Sequence, residues 1–449
     1  MQLQFPPSNR ALAALDQGPA WDLMQRVKAL PTYDPSTPPD GLINLSGALN
    51  HLMTDWTAAY LARHAAVPEP IHLEYGPLAG SSALLSAAAA FLNRFFQPLT
   101  PVEPTHLLAA NGVTSLIDLA AWALCDPGDA VLYPTPNFYM LDCDLKTRAA
   151  VETVAFSTSS LTDPFQDAEG LIALAEAAAN EALSRNLRCK FLFICNPVNP
   201  QGRCYSRATL VALAVWCTRR GMHVVVDEIY ALSRFHSSVP SAFTSILSIA
   251  GGDVCQENIH CLYGLSKDFN MCGLRVAFLI TRNAAIREAA SRATWFTWLT
   301  AFSDAFAARF LGDLDNVQDF LRTYRQRLAA QYHKTTVALR RCGIPFQPAE
   351  AGLFVYIDLG RWIHHFQGTA RQSSPRLSPE LLLCEWLIMK GVFLNAGEFG
   401  GSDRPGCFRL VFTEEPDATV LAVERIRRAL DRLDQGALDT RGPVRTTAA

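Results

Sequence analysis

Between residues 105 and 282 the chain alternates two textures. Short, nearly continuous apolar runs (THLLAANG, AVLYPTPN, VETVAF, CKFLFICNP, HVVVDEIY, IHCLYGLSK and RVAFLITR) each end in turn or polar residues. Continuous apolar runs of this length predict strands covered on both faces, the habit of a largely parallel sheet. Between them, SLIDLAAWALCD and RATLVALAVWCTRRG carry helical periodicity, and Gly221 closes the second. The alternation predicts an α/β fold, an open and mostly parallel central sheet with helices on both sides. Past residue 300 the texture changes. DNVQDFLRTYRQRLAAQYHKTTVALRRCG predicts one long amphipathic helix ending at Gly343, followed by a strand at FVYIDLG, a helix at PELLLCEWLIMKG and a strand at FRLVFT. This part predicts a smaller α+β domain.

Length fits that division, because 449 residues are too many for one compact core. The expected bounds are 51–305 for the large domain, 306–435 for the small one, and 436–449 for a disordered tail of small polar residues. A net charge of −3 without any Lys/Arg block argues against a nucleic-acid surface. The most apolar windows, SSALLSAAAAFL and SLIDLAAWALC, fall short of the ~20 residues that span a bilayer, and the N-terminus lacks a basic start with an apolar run. No membrane partner is expected. The 12 cysteines are scattered without a C-x-x-C pair, which predicts free thiols, no metal site and a cytoplasmic protein.

In an open α/β sheet, ligands bind outside the carboxyl ends of the strands. The residues expected there are Asn111-Gly112-Val113-Thr114 before a helix, NPVNPQG at 196–202, Asp227-Glu228-Ile229-Tyr230, and Ser266-Lys267, with Arg275 opening the next strand. Taken singly, each has an ordinary reading: a solvated lysine, a helix-capping aspartate, an Asn-Pro turn, half an ion pair. Their order and spacing together point further.

The strings LCDPGD, YPTP, DCDLKTR, NPVNPQG, DEIY, LSKDF, GLR and FRLVF resemble the fold-type I pyridoxal-phosphate enzymes of the class I/II aminotransferase group. Within it, the chain is most similar to 1-aminocyclopropane-1-carboxylate synthase and the synthase-like proteins of fungi, from about residue 40 to 430. The resemblance implies the cofactor pyridoxal 5′-phosphate and the corresponding transferase fold, with residues 1–50 packed against the small domain. Lys267 would hold the cofactor aldehyde and move the substrate's α-proton, which needs a pKa lowered from ~10.4 towards ~7–8. Asp227 would pair with the ring nitrogen, Tyr230 and Asn199 with the ring oxygen, and Phe138 rather than Tyr139 would stack on the ring. Arg275, Ser266 and the peptide N–H groups of Val113 and Thr114 would hold the phosphate. Tyr75 would reach the phosphate of a neighbouring subunit, so a homodimer is expected. Arg409 would clamp the α-carboxylate of an amino-acid substrate.

Two positions depart from that pattern. Gly264 stands where a serine is common, at a loss of about 1–2 kcal/mol of phosphate binding. Leu49, followed by Asn50, stands where the synthases carry a glutamate associated with S-adenosylmethionine. Leu49 argues against cyclopropane formation and suits a bulky, uncharged substrate. The expected activity is transamination of an amino acid or a derived secondary-metabolite intermediate, with β-elimination at a carbon–sulfur bond as the alternative. A fold retired to a binding role is a further alternative, against which the intact set of site residues argues.

Overall fold

The computed structural model describes residues 7–13, 18–36, 41–64, 70–235, 243–251, 253–367 and 377–436. Residues 437–449, on which nearly all of the expected tail falls, lie outside the described residues, as do residues 1–6. A short strand, β1 (Ile43–Asn44), precedes the central sheet. That sheet is built from β2 (Leu107–Ala110), β3 (Ala130–Thr135), β4 (Glu152–Ser157), β5 (Cys189–Cys195), β6 (His223–Asp227), β7 (Ile259–Gly264) and β8 (Ala277–Thr281). Its order is β2-β8-β7-β6-β5-β3-β4. Every pairing is parallel except those of β8, which runs antiparallel to both its neighbours.

Strands β2, β3, β7 and β8 are buried at every position, as their continuous apolar runs require. VETVAF departs from that expectation. As β4 it is the sheet edge, with Glu152 and Ala155 exposed, because only one neighbouring strand pairs with it. Helices Val113–Leu124 and Arg207–Arg219 flank the sheet where the periodicity put them, and Gly221 adopts a left-handed φ of 65° just past the second.

The long helix runs Leu314–Arg341, with Gly343 in the left-handed region after it. A second sheet follows, made of β9 (Phe346–Gln347), β10 (Phe354–Asp358), β12 (Asn395–Ala396) and β13 (Cys407–Val411) in the antiparallel order β12-β13-β10-β9. Between them, β11 (Val392–Phe393) pairs in parallel with β1, so the N-terminal segment is bound to the C-terminal part. The loop 397–406 reaches back to the central sheet. Asn137 N donates to Gly400 O (2.8 Å), and the Ser157 and Ser159 hydroxyls both donate to Asp403 (2.6 Å each).

All 12 cysteines are free thiols. Among the described residues, no helix is long and apolar enough to cross a membrane, and no group of three or more His, Cys, Asp and Glu side chains could hold a metal ion.

Candidate active site

Sheet topology gathers the polar residues. Because β8 is antiparallel, its start lies at the same edge as the ends of β2, β3, β5, β6 and β7. Asp227 is the last residue of β6, and Lys267 follows β7 by three residues on the neighbouring strand. Asn199 follows β5 on the other side, and Gly112-Val113 opens the helix after β2. Arg409 arrives from the second sheet, in the middle of β13.

The Lys267 ammonium donates to Ala48 O at 2.9 Å. Burial lowers its pKa to about 8, with Arg409 and Arg275 adding to the drop. The Asp227 carboxyl is raised to about 7, chiefly by burial; the Ile229 N–H, bonded at 3.0 Å, and Lys267 oppose that rise. Asp227 thus caps the turn after its strand and also interacts with the lysine. Lys267 and Asp227 are largely buried and keep only part of their surface accessible, in a narrow crevice at the strand ends. Next to the lysine, Asp268 is fully buried and accepts from Leu232 N (3.0 Å), Ser233 Oγ (2.5 Å) and Tyr263 OH (3.0 Å). Those bonds fix the backbone that carries residue 267. Ser266 is part-buried beside it.

Tyr230 is buried, its ring edge-on to Phe354 at 5.3 Å, and burial raises its pKa while Arg409 opposes. Arg409 is 5% exposed. It donates to Asn199 Oδ1 (2.9 Å) and to Ser46 O, while its Nε has no hydrogen-bond partner among the described residues. Its guanidinium also lies 5.9 Å from the Tyr139 ring centre. Phe138 packs edge-on against that ring at 5.2 Å, so of the two aromatics it is Tyr139 that meets the Arg409 guanidinium directly.

Arg275 has a left-handed φ of 57° and donates to Cys272 O at 3.1 Å. A Cβ at Gly112 would collide with its guanidinium, and Gly112 itself has φ 119°. The guanidinium is therefore seated over a helix N-terminus, beside the part-buried Val113 and exposed Thr114, where two sources of positive potential add. Gly112→Ala is expected to lower stability by about 1–3 kcal/mol and to push Arg275 off that seat, weakening cofactor affinity. Denaturant unfolding and cofactor titration check it; unchanged values for both would refute the seat.

The departure at Gly264 has a steric cause. A Cβ there would lie 2.9 Å from both Ala277 Cβ and Val276 O, so serine does not fit the β7–β8 pairing without a shift. Leu49 is anchored through its backbone, accepting from Thr413 Oγ1 at 2.6 Å, and Asn50 Nδ2 donates to Lys267 O at 3.1 Å. Tyr75 is not brought to this crevice. It is 91% exposed, with its ring on Trp298 at 5.6 Å.

The sequence reading passed over Glu414 and Asp144, two carboxyls raised by burial to about 8 and about 7. Glu414 lies five residues past Arg409, where a strand ends and periodicity says nothing about direction. Asp144 sits on the helix Leu141–Lys146 and acts on Asp227 from within the protein.

Sheet, lysine and carboxyl together define the fold-type I pyridoxal-phosphate class. A lysine amine held near neutrality, a buried carboxyl that gains from a nearby cation, and a guanidinium at a helix N-terminus fit that cofactor's aldehyde, ring nitrogen and phosphate. The profile of the aminotransferase class I and II family matches residues 45–426, and the chain belongs to that family. It is 31% identical over 432 residues to human 1-aminocyclopropane-1-carboxylate synthase-like protein 1, covering 94% of this chain and 83% of the relative. It is 29% identical over 427 residues to 1-aminocyclopropane-1-carboxylate synthase 6 of Oryza sativa subsp. japonica, covering 91% and 76%. A mouse relative named probable inactive 1-aminocyclopropane-1-carboxylate synthase-like protein 2 is 30% identical over 406 residues, covering 89% and 67%. N-succinyldiaminopimelate aminotransferase from Mycobacterium tuberculosis shares the fold with a TM-score of 0.72 at 19% identity, over 94% of this chain and 100% of that one. For aspartate aminotransferase from Thermotoga maritima the values are 0.69, 20%, 95% and 100%. The protein is a pyridoxal 5′-phosphate-dependent enzyme with an aminotransferase fold.

Proposed function

We propose that the enzyme acts at the α-carbon of an amino acid and that the reaction is transamination. The observation that carries this reading is Arg409. It is a buried guanidinium, positioned by Asn199, with an Nε unpartnered among the described residues and within electrostatic reach of Lys267. A fixed planar cation beside a near-neutral amine suits an α-carboxylate next to a proton to be removed. Bound here, the cofactor supplies an aldehyde for the amine and a ring that stabilises negative charge at the α-carbon.

Lys267 takes the α-proton on Nζ. Arg409 orients the carboxylate, and Asn199 keeps the guanidinium plane fixed. Asp227 would hold the ring nitrogen, Tyr230 and Asn199 the ring oxygen, and Phe138 would cover the ring. Arg275, Ser266, Val113 and Thr114 would take the phosphate. Residues 51–305 bind the cofactor, and 306–435 carry the carboxylate anchor.

A second copy of the chain completes the assembly in this reading. Leu73, Tyr75, Trp295 and Phe296 are all exposed and apolar, close in sequence to the Tyr75–Trp298 contact, which suits a covered face better than a solvated one. Free thiols support a cytoplasmic location.

Single-turnover incubation with amino acids tests the reaction. A 2-oxo acid formed in step with the aminated cofactor is expected. Pyruvate with a free thiol from an S-substituted cysteine, and no aminated cofactor, would replace transamination with β-elimination.

A further inference from the structure

Gly47 is a glycine without a left-handed backbone, so its φ does not explain it. What its missing side chain leaves free is room for a carboxylate. A Cβ at 47 would lie 2.9 Å from Glu414 Oε1 and 3.3 Å from Oε2. Glu414 is 9% exposed; the Gly47 N–H supports its charge, while its Oε2 has no hydrogen-bond partner among the described residues. Gly47 stands between Ser46, whose carbonyl accepts from Arg409, and Ala48, whose carbonyl accepts from Lys267, so Glu414 packs against the segment that both cations hold. Two further atoms around that segment are buried and unpartnered among the described residues, Arg409 Nε and Asn50 Oδ1. Buried polar atoms are normally satisfied. Here one donor on a cation and two acceptors are not.

A ligand with an anion at one end and N–H donors at the other would satisfy all three. If the α-carboxylate goes to Arg409 and the α-amine to the cofactor, as in the reading above on which this step rests, the donor facing Glu414 must come from the side chain. We propose that Glu414, seated in the room left by Gly47, determines specificity by selecting amino acids whose side chain ends in a cationic or N–H donor group. Position 49 alone suggested an uncharged substrate; Glu414 supplies from another strand the carboxylate that Leu49 lacks. A cation brought to Glu414 favours its ionised form, as Arg409 and Lys267 already do, against burial and the neighbouring Glu415.

The test is equilibrium binding to the holoenzyme, followed by cofactor absorption and by calorimetry. L-Lysine, L-ornithine and L-arginine are compared with L-norleucine and L-glutamate. The wild-type chain is expected to prefer the basic ligands over norleucine by about tenfold or more. Glu414→Gln, nearly isosteric, should bring that preference to within about twofold while leaving norleucine binding little changed. Gly47→Ala keeps the carboxylate in the chain but takes its room, and should also lose the preference if Glu414→Gln folds poorly. A uniform shift for every ligand in Glu414→Gln would make Glu414 a mere counter-ion of Arg409 and overturn the proposal, as would a wild-type preference for norleucine or glutamate. Failure of every amino acid to bind would instead overturn the amino-acid reading, and the proposal with it.

Discussion

Lys267→Ala is expected to abolish covalent retention of the cofactor and to lower turnover by at least about 10³-fold, since in the proposed reading one group would both hold the aldehyde and move the proton. Borohydride reduction of the wild-type holoenzyme followed by peptide mapping should mark residue 267, and the variant should carry no mark. The pH dependence is equally specific. Only the neutral amine attacks an aldehyde, and burial beside Arg409 brings this amine's pKa to about 8 from an ordinary 10.5. Capture of pyridoxal phosphate by the apoprotein should therefore rise with pH below about 8 and level off above it. A rate still climbing steeply at pH 10 would show that the amine is an ordinary solvated lysine.

Arg409→Lys should be nearly as costly for amino-acid substrates. A lysine cannot reproduce the planar fork, and the buried Asn199 Oδ1 and Ser46 O would compete for a single ammonium. A fall in kcat/KM of about 10²-fold or more is expected, with a stability loss of about 1–3 kcal/mol from the imperfectly satisfied acceptors. Half-reactions with a simple primary amine that has no carboxylate should change little. Equal losses for both substrate types would remove Arg409 from the carboxylate role.

Most of this site was legible in the sequence because parallel strands leave two strong marks. They are unbroken apolar runs, and their carboxyl ends lie on one edge. Those marks placed Asp227, Lys267 and Asn199 together before any coordinates. VETVAF misled because an edge strand can be as apolar as a central one; its cover depends on sheet order, which local pattern does not encode. Glu414 was missed for a related reason. Its meaning comes from Gly47, more than 360 residues earlier, and only folding brings the pair into contact. Tyr75 shows the complementary case, a residue whose expected role lies outside a single copy of the chain. The resemblance could suggest that, but its own spacing could not.

The ties from loop 397–406 to Asn137, Ser157 and Ser159 bear on how the crevice can open. Arg409 lies in the strand that begins one residue after that loop, and Phe138 and Tyr139 directly follow Asn137. While those ties hold, the strand that carries Arg409 and the 136–139 turn are fastened to one another. In the proposed reading, losing both the Asp403 and the Gly400 ties would uncouple them, so that a substrate could be gripped at one end while its reacting carbon sat out of line.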